Sequence, residues 1–273
     1  MIPKQWQGAI DVINSIENAG FEAFIVGGAV RDYYLKKDNH DVDIATSALP
    51  EEIQAIFPQT IDVGIEHGTV LVLQNGEPIE VTTYRTESTY SDHRRPDAVH
   101  FVRNLAEDLK RRDFTMNAMA LSQAGEYIDL YGGRKHIDEQ LICAVGVAEE
   151  RFGEDALRML RAVRFAAQLN FTIEVATFAA IQQQASSIEH IAMERIQMEL
   201  SKIFTGKHVA QGIHYLETSG LAAHLPGQFV ATAWQDFSSD NRQIGWAYFC
   251  LVNDDVTLLT NYRCSNKDKQ FTK

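Results

Sequence analysis

The sequence predicts an α+β protein: a mixed β-sheet with covering helices, followed by a region built of helices alone. Three observations predict it. Short β-branched runs such as "GTVLVLQ" and "PIEVTTY" alternate with helical stretches over roughly the first half of the 273 residues. These two runs are separated by Asn75-Gly76-Glu77, a hairpin signal. From Glu149 onward, apolar residues recur near helical spacing and strand-like runs stop.

Trp6, Ile10, Ile13 and Ile16 recur at helical spacing, and Asn18-Ala19-Gly20 closes that helix. "FEAFIV" reads as a buried strand stopped by Gly27-Gly28, "AVRDYYL" as a short helix and "DVDIA" as the next strand. "PEEIQAIF" places proline and acids in a first helical turn, where the end charges favour them. The two runs of the hairpin follow. Residues 85 to 100 are polar, charged and broken by Pro96, without a steady period, and read as a mobile loop. Order resumes with "NLAEDLKRRDFTMNAMALS", where Asn104 can cap a helix, and with "GEYIDLYGG", a short strand and turn. "EERFGEDALRMLRAVRFAAQL" then reads as one helix, followed by "IEVATFAAIQQQASSI", "AMERIQMELSKIF" and "VAQGIHYLETSGL".

Nothing approaches 18 consecutive apolar residues, so no membrane span is expected. Three widely spaced cysteines, Cys143, Cys250 and Cys264, suit reduced thiols in a cytoplasm and give no zinc or disulfide pattern. The net charge of −12 argues against a polyanion held over the whole surface. Arginines concentrate instead in "RTESTYSDHRRPDAVHFVRNLAEDLKRR" and "RFGEDALRMLRAVRF", which predicts a confined positive groove.

Asp41 and Asp43 are i and i+2 on the expected strand, so both carboxylates leave one face. Two ionised carboxylates side by side call for a cation, and magnesium accepts one or two of them while keeping water and phosphate oxygens. Gly27-Gly28 ends the neighbouring strand and opens a helix, a seat for phosphates on exposed N–H groups, with Arg31 one turn further on. A solvated Asp-x-Asp face and a purely geometric Gly-Gly turn are the alternatives. Their spacing, with strand-turn-helix leading into strand, favours one shared site. Alternation along "PIEVTTYR" brings Glu80 beside the Asp pair on an adjacent strand. There it ligates a metal, acts as a base, or is a surface acid; all three readings stand.

"GGAVRD" and "DVD", joined by "RRDFTMNAMA" and "EDALRMLRAVRF", closely resemble the motifs of bacterial class II tRNA nucleotidyltransferases. These are the CCA-adding enzymes, in the superfamily that also holds poly(A) polymerases. "RTESTYSDHRRPDAVHFV" is similar to the family's flexible loop, a lever for moving between CTP and ATP settings, and "MERIQMELSKIFTG" to its later helical signature. The resemblance implies a nucleotidyltransferase head over 1–148, a helical nucleotide-recognising neck over 149–208 and a partial helical body over 209–273. The family normally continues well past residue 273, so its tail is expected to be absent.

By that resemblance Asp41 and Asp43 are the catalytic, magnesium-binding pair, with two ions in the reacting complex. Gly27, Gly28, Arg31 and Arg112 bind nucleotide. Asp155 and Arg158 read the base edge of CTP or ATP, Glu154 orients them, and Arg161 and Arg164 line the triphosphate. The side chains agree: three apart on a helix face, an acceptor and a donor match the amino group and ring nitrogen shared by cytosine and adenine. A plain i,i+3 ion pair is the alternative. The implied reaction adds C, C and A from CTP and ATP to the tRNA 3′ end without a template, releasing pyrophosphate. The implied partners are the tRNA 3′ end and acceptor region, with no membrane and no obligate protein partner. A poly(A) polymerase, a CC-adding or A-adding enzyme, and an inactive RNA-binding or assembly protein of the same fold remain as alternatives.

Overall fold

The computed structural model describes residues 2–39, 41–87, 99–236 and 241–272. They divide into two compact units, one reaching Glu139 and the other beginning at Gln140.

In the first unit α1 (Gln7–Asn18) leads into β1 (Ala23–Val26), α2 (Gly28–Tyr34) and β2 (Asp43–Thr46). Next come α3 (Pro50–Ile56), β3 (Thr60–Gly64), β4 (Thr69–Gln74) and β5 (Glu77–Thr83). β6 (Arg85–Glu87), β7 (Val99–Phe101), α4 (Leu105–Lys110), β8 (Met119–Leu121), β9 (Tyr127–Asp129) and α5 (Gly133–Asp138) complete it. Seven strands form one sheet in the order β3-β4-β5-β2-β1-β8-β9. The β2–β5 pair is parallel and the other pairs antiparallel, so the sheet is mixed as expected.

Alternation gives each face its role. Ile25, Ile44, Val81 and Val70 lie in register across β1, β2, β5 and β4, all fully buried. Each such side chain contributes about 1.5–3 kcal/mol by leaving water. α1 covers this face, with Gly8 against Ile79. On the opposite face Val26 and Ala45 pack with Leu105 and Leu109 of α4. That second face also carries Asp43 and Glu80, so the helix that closes the core ends beside the carboxylates.

Two expectations change here. The sequence reading missed β3, an edge strand with Ile61 and Val63 exposed. Residues 85 to 100 are not loop throughout. Their ends pair as β6 and β7, Arg85 opposite Phe101 and Glu87 opposite Val99, and the rest of the expected mobile loop lies outside the described residues.

The second unit holds α6 (Ala148–Glu154), α7 (Leu157–Leu169), α8 (Val175–Gln184), α9 (Met193–Phe204) and α10 (Val209–Thr218). α11 (Arg242–Asn253), α12 (Leu258–Asn261) and α13 (Asn266–Phe271) follow. It is not purely helical: β10 (Leu141–Ile142) pairs in parallel with β11 (Thr172–Ile173). That pairing ties residues just after Gln140 to the helical unit. α7 is its central rod, with Met159, Leu160, Ala162, Val163, Ala166 and Ala167 fully buried. α10 crosses it at Gly212, where an added Cβ would lie 2.9 Å from the Ala167 Cβ; only glycine permits that approach. Phe204 at the end of α9 meets Trp234, Trp246 and Phe249 at ring-centroid distances of 5.1, 5.0 and 5.4 Å, building the core of the later helices.

Candidate active site

β1 ends at Val26, which pairs with Asp43 across the sheet. The next residue, Gly27, has φ 74° and ψ −138°, a conformation that side chains oppose. A Cβ there would also lie 3.3 Å from Nη1 of Arg112. This turn thus brings a guanidinium against the backbone at the start of α2. Arg31 folds back over the same turn, its Nη2 3.5 Å from where a Gly28 Cβ would sit. Its Nε donates to Asp32 Oδ1 at 2.9 Å and its Nη1 to Asn117 Oδ1 at 2.8 Å.

Asp43 opens β2, while Asp41 lies before the strand; the expectation that one strand carries both is corrected. β2 runs beside β5 with Ile44 opposite Val81, which places Asp43 next to Glu80 on the same face. Solvent reaches Asp43, yet its carboxyl is pushed up from 3.8 to about 6. Lost hydration is the main cause, followed by the charges of Glu80 and Asp41, while Arg112 pulls the other way. The geometry therefore brings Asp41, Asp43, Glu80, Gly27 and Arg112 together.

The cleft beside them measures about 160 Å³ and is walled by Asp43, Glu80, Thr82, Arg85, Arg111 and Arg112. Asp108, 1% exposed at the end of α4, organises the basic wall. It accepts from Arg111 Nε at 3.0 Å and Nη2 at 2.8 Å, from Arg112 Nη2 at 3.0 Å, and from the Arg85 backbone N–H at 3.4 Å. Burial alone would raise this carboxyl, but the Arg112 and Arg111 guanidiniums hold it below its ordinary value.

Among the described residues no three His, Cys, Asp or Glu side chains form a closed metal cage. Two neighbouring carboxylates, Asp41 and Asp43, fit magnesium, which takes one or two carboxylates and fills its shell with water and phosphate. After lost hydration, the charges of Glu80 and Asp41 push the Asp43 carboxyl up further, a crowding of carboxylates that a cation would relieve.

In the helical unit the expected single helix breaks at Asp155, whose φ of −143° and ψ of 103° are extended. Its carboxylate accepts from the Leu157 backbone N–H at 3.1 Å, starting α7 afresh. Asp155 and Arg158 therefore do not share one helix face. Asp155 pairs with Arg195 at 2.7 Å, and Arg158 with Glu154 and the Arg151 carbonyl. Glu154 also pairs with Arg151. Arg161 lies 5.7 Å from the Phe165 ring centroid. Arg164 is 7% exposed, 3.2 Å from Glu199 and 4.3 Å from the Phe165 centroid.

Sequence reasoning missed Asp108, Asn117 and Arg195. Asp108 had a local signal, three and four residues before Arg111 and Arg112. Arg195 lies within "MERIQMELSKIFTG", but nothing local tied it to Asp155, 40 residues away.

Residues 23–143 match the family described as Poly A polymerase head domain. Residues 170–231 match that described as probable RNA and SrmB-binding site of polymerase A. The chain is 49% identical over 279 residues to a CCA-adding enzyme of Leuconostoc citreum, covering 98% of itself and 69% of the relative. It is 53% identical over 272 residues to the CCA-adding enzyme of Geobacillus kaustophilus, covering 96% and 67%. The Bacillus stearothermophilus CCA-adding enzyme, crystallised in complex with CTP, superposes with a TM-score of 0.91 at 43% identity. That match covers 99% of this chain and 69% of the other. The chain belongs to the bacterial class II tRNA nucleotidyltransferases, the CCA-adding enzymes.

Proposed function

We propose that this chain adds C, C and A to the 3′ end of tRNA from CTP and ATP, with release of pyrophosphate and without a nucleic-acid template. The observation that carries the reading is the convergence of Asp43, Glu80 and Arg112 on one cleft, with Asp41 close enough for its charge to raise the Asp43 carboxyl, in a chain of this family. Asp41 and Asp43 would hold magnesium, two ions in the reacting complex. When bound, it lowers the proton affinity of the attacking 3′-hydroxyl and neutralises the triphosphate and its leaving oxygen.

The remaining work falls to fixed charge and position. Gly27 and Gly28 let phosphate oxygens approach the backbone at the start of α2. Arg112, held by Asp108, places positive charge on the nucleotide, and Arg31 braces the same turn. Glu80, beside Asp43, adds the charge that draws cations and is a candidate to accept a proton. Asp155 and Arg158 read the amino group and ring nitrogen of cytosine or adenine, with Glu154 and Arg195 orienting them. Arg161 and Arg164 serve the phosphates. Arg164 already has Glu199, so a phosphate contact would be made at that pair's expense.

We assign the head to 1–148, the neck to 149–208 and the body to 209–273, with 140–148 packing in the compact unit that holds the neck. No helix among the described residues is long and apolar enough to cross a membrane. A cytoplasmic location is part of the same proposal and rests on tRNA as substrate.

The test uses tRNA lacking its CCA end, with nucleotides offered singly and together in magnesium. C-C with CTP alone and C-C-A with CTP plus ATP is the expected pattern. Runs of A would instead mark a poly(A) polymerase, arrest at C-C with both nucleotides a CC-adding enzyme, and A added only to ends already carrying C-C an A-adding one.

A further inference from the structure

We infer that Asn39 is a positioning residue for the Asp41 carboxylate, held by a hydrogen-bonded chain through Asp32 and Arg31 to Asn117 and Asp113. The inference rests on reading Asp41 and Asp43 as magnesium ligands.

Asp41 precedes β2, so its backbone is not set by a strand position. Its N–H donates instead to Asn39 Oδ1 at 2.8 Å. The other end of that amide, Nδ2, donates to Asp32 Oδ2 at 2.9 Å. Asp32 Oδ1 accepts from Arg31 Nε and Nη2, both at 2.9 Å. Arg31 Nη1 then donates to Asn117 Oδ1 at 2.8 Å, and Asn117 Nδ2 to Asp113 Oδ1 at 3.0 Å. Asp113 Oδ1 also accepts the Phe114 N–H at 2.7 Å. Every link runs from donor to acceptor, and only one orientation of the Asn39 amide satisfies both neighbours. The Asn39 backbone carbonyl is fixed as well, accepting from the indole N–H of buried Trp6 at 2.8 Å.

The chain joins the Gly-Gly turn helix, the segment after Arg112 and the residue that leads into β2. Arg31 thereby braces the backbone that carries one carboxylate of the pair, rather than standing ready only for phosphate. Magnesium demands near-octahedral geometry at about 2.0–2.1 Å, so a small displacement of Asp41 weakens the metal before it disturbs the fold. Partners that orient a ligand typically change metal affinity by about 10–100-fold when removed.

The deciding set is Asn39→Ala, Asn39→Asp, Asp32→Asn and the double exchange Asp32→Asn with Asn39→Asp. In the exchange, amide and carboxylate change places. The new amide accepts from Arg31 and donates to the new carboxylate, which still accepts the Asp41 N–H. Mn2+ binding to the protein without nucleotide, followed by electron paramagnetic resonance, is the direct readout. The magnesium concentration for half-maximal CTP transfer is the second. Asn39→Ala and both single exchanges should bind Mn2+ roughly tenfold or more weakly, with kcat recovered at high metal, and the double exchange should restore affinity to within about threefold. Unchanged Mn2+ affinity in Asn39→Ala, alongside lost affinity in Asp43→Asn, would overturn the relay alone. So would a double exchange no better than its singles. Unchanged affinity in Asp43→Asn would overturn the metal reading beneath it.

Discussion

At the scale of single residues, Asp43 carries function at a cost in stability. Its carboxyl rises from 3.8 to about 6, so the folded protein binds a proton there that the unfolded chain has already released. A raised value contributes stability that is full below about pH 4 and is lost as pH climbs through 6. Metal-free protein should therefore lose thermal stability across that window, and Asp43→Asn should flatten the loss. Melting curves from pH 4 to 8 in a chelator check this; equal slopes in both proteins would refute it. Magnesium at pH 7.5 should raise the wild-type Tm but not that of Asp43→Asn. Nucleotide transfer should be abolished by Asp43→Asn or Asp41→Ala with the fold retained. Asp108 runs the opposite way. Its carboxyl is held low by two guanidiniums, so its contribution is present above about pH 4 and fades as pH falls below it. Asp108→Asn leaves two arginines around a neutral buried group and should cost about 3–5 kcal/mol in denaturant unfolding. It should also raise KM for CTP, because Arg112 loses its anchor.

At the scale of elements, the break between α6 and α7 is the most informative feature. Asp155 stands outside both helices and is aimed by Arg195 of α9, while Arg158 is aimed by Glu154 of α6. Asp155→Ala and Arg195→Ala should thus both relax base choice. A base-edge contact of about 1–3 kcal/mol corresponds to roughly 5- to 150-fold in discrimination. The check is kcat/KM for CTP, ATP, UTP and GTP on tRNA ends lacking one, two or three nucleotides; an equal fall for all four would remove the template role. The Asp-x-Asp pair, the Gly-Gly turn, the hairpin and the main helices were legible because each is written in a local pattern. The Asp155 break was not, because Phe152 and Ala156 through Leu160 are buried on both sides of it and keep a helix-like spacing. Glu80 was legible from alternation, and the β2–β5 register puts it beside Asp43. β6 with β7 and β10 with β11 escaped notice because two- and three-residue strands have no period to read. The Arg195–Asp155 pair and the Asn39 relay are tertiary, set by how distant segments pack.

At the scale of the whole molecule, a net charge of −12 must coexist with a polyanionic substrate. Arg85, Arg111 and Arg112 in the cleft supply a local positive wall. tRNA affinity should fall as salt rises, by about 0.7–0.9 in the log–log slope for each phosphate neutralised. Binding titrations between 50 and 300 mM salt measure it; a flat line would mean that phosphates are not what holds the RNA. The strand order has a temporal consequence. β1 takes its second neighbour, β8, through Ile25 opposite Leu121, two residues almost a hundred positions apart in the chain. Closing so long a loop is slow, because its entropy is lost before the pairing repays it. Arg112 and Asn117 lie on the late side of that closure, whereas Gly27, Arg31 and Asp43 lie on the early side. A chain emerging from the ribosome can thus own its carboxylates well before it can own a nucleotide pocket.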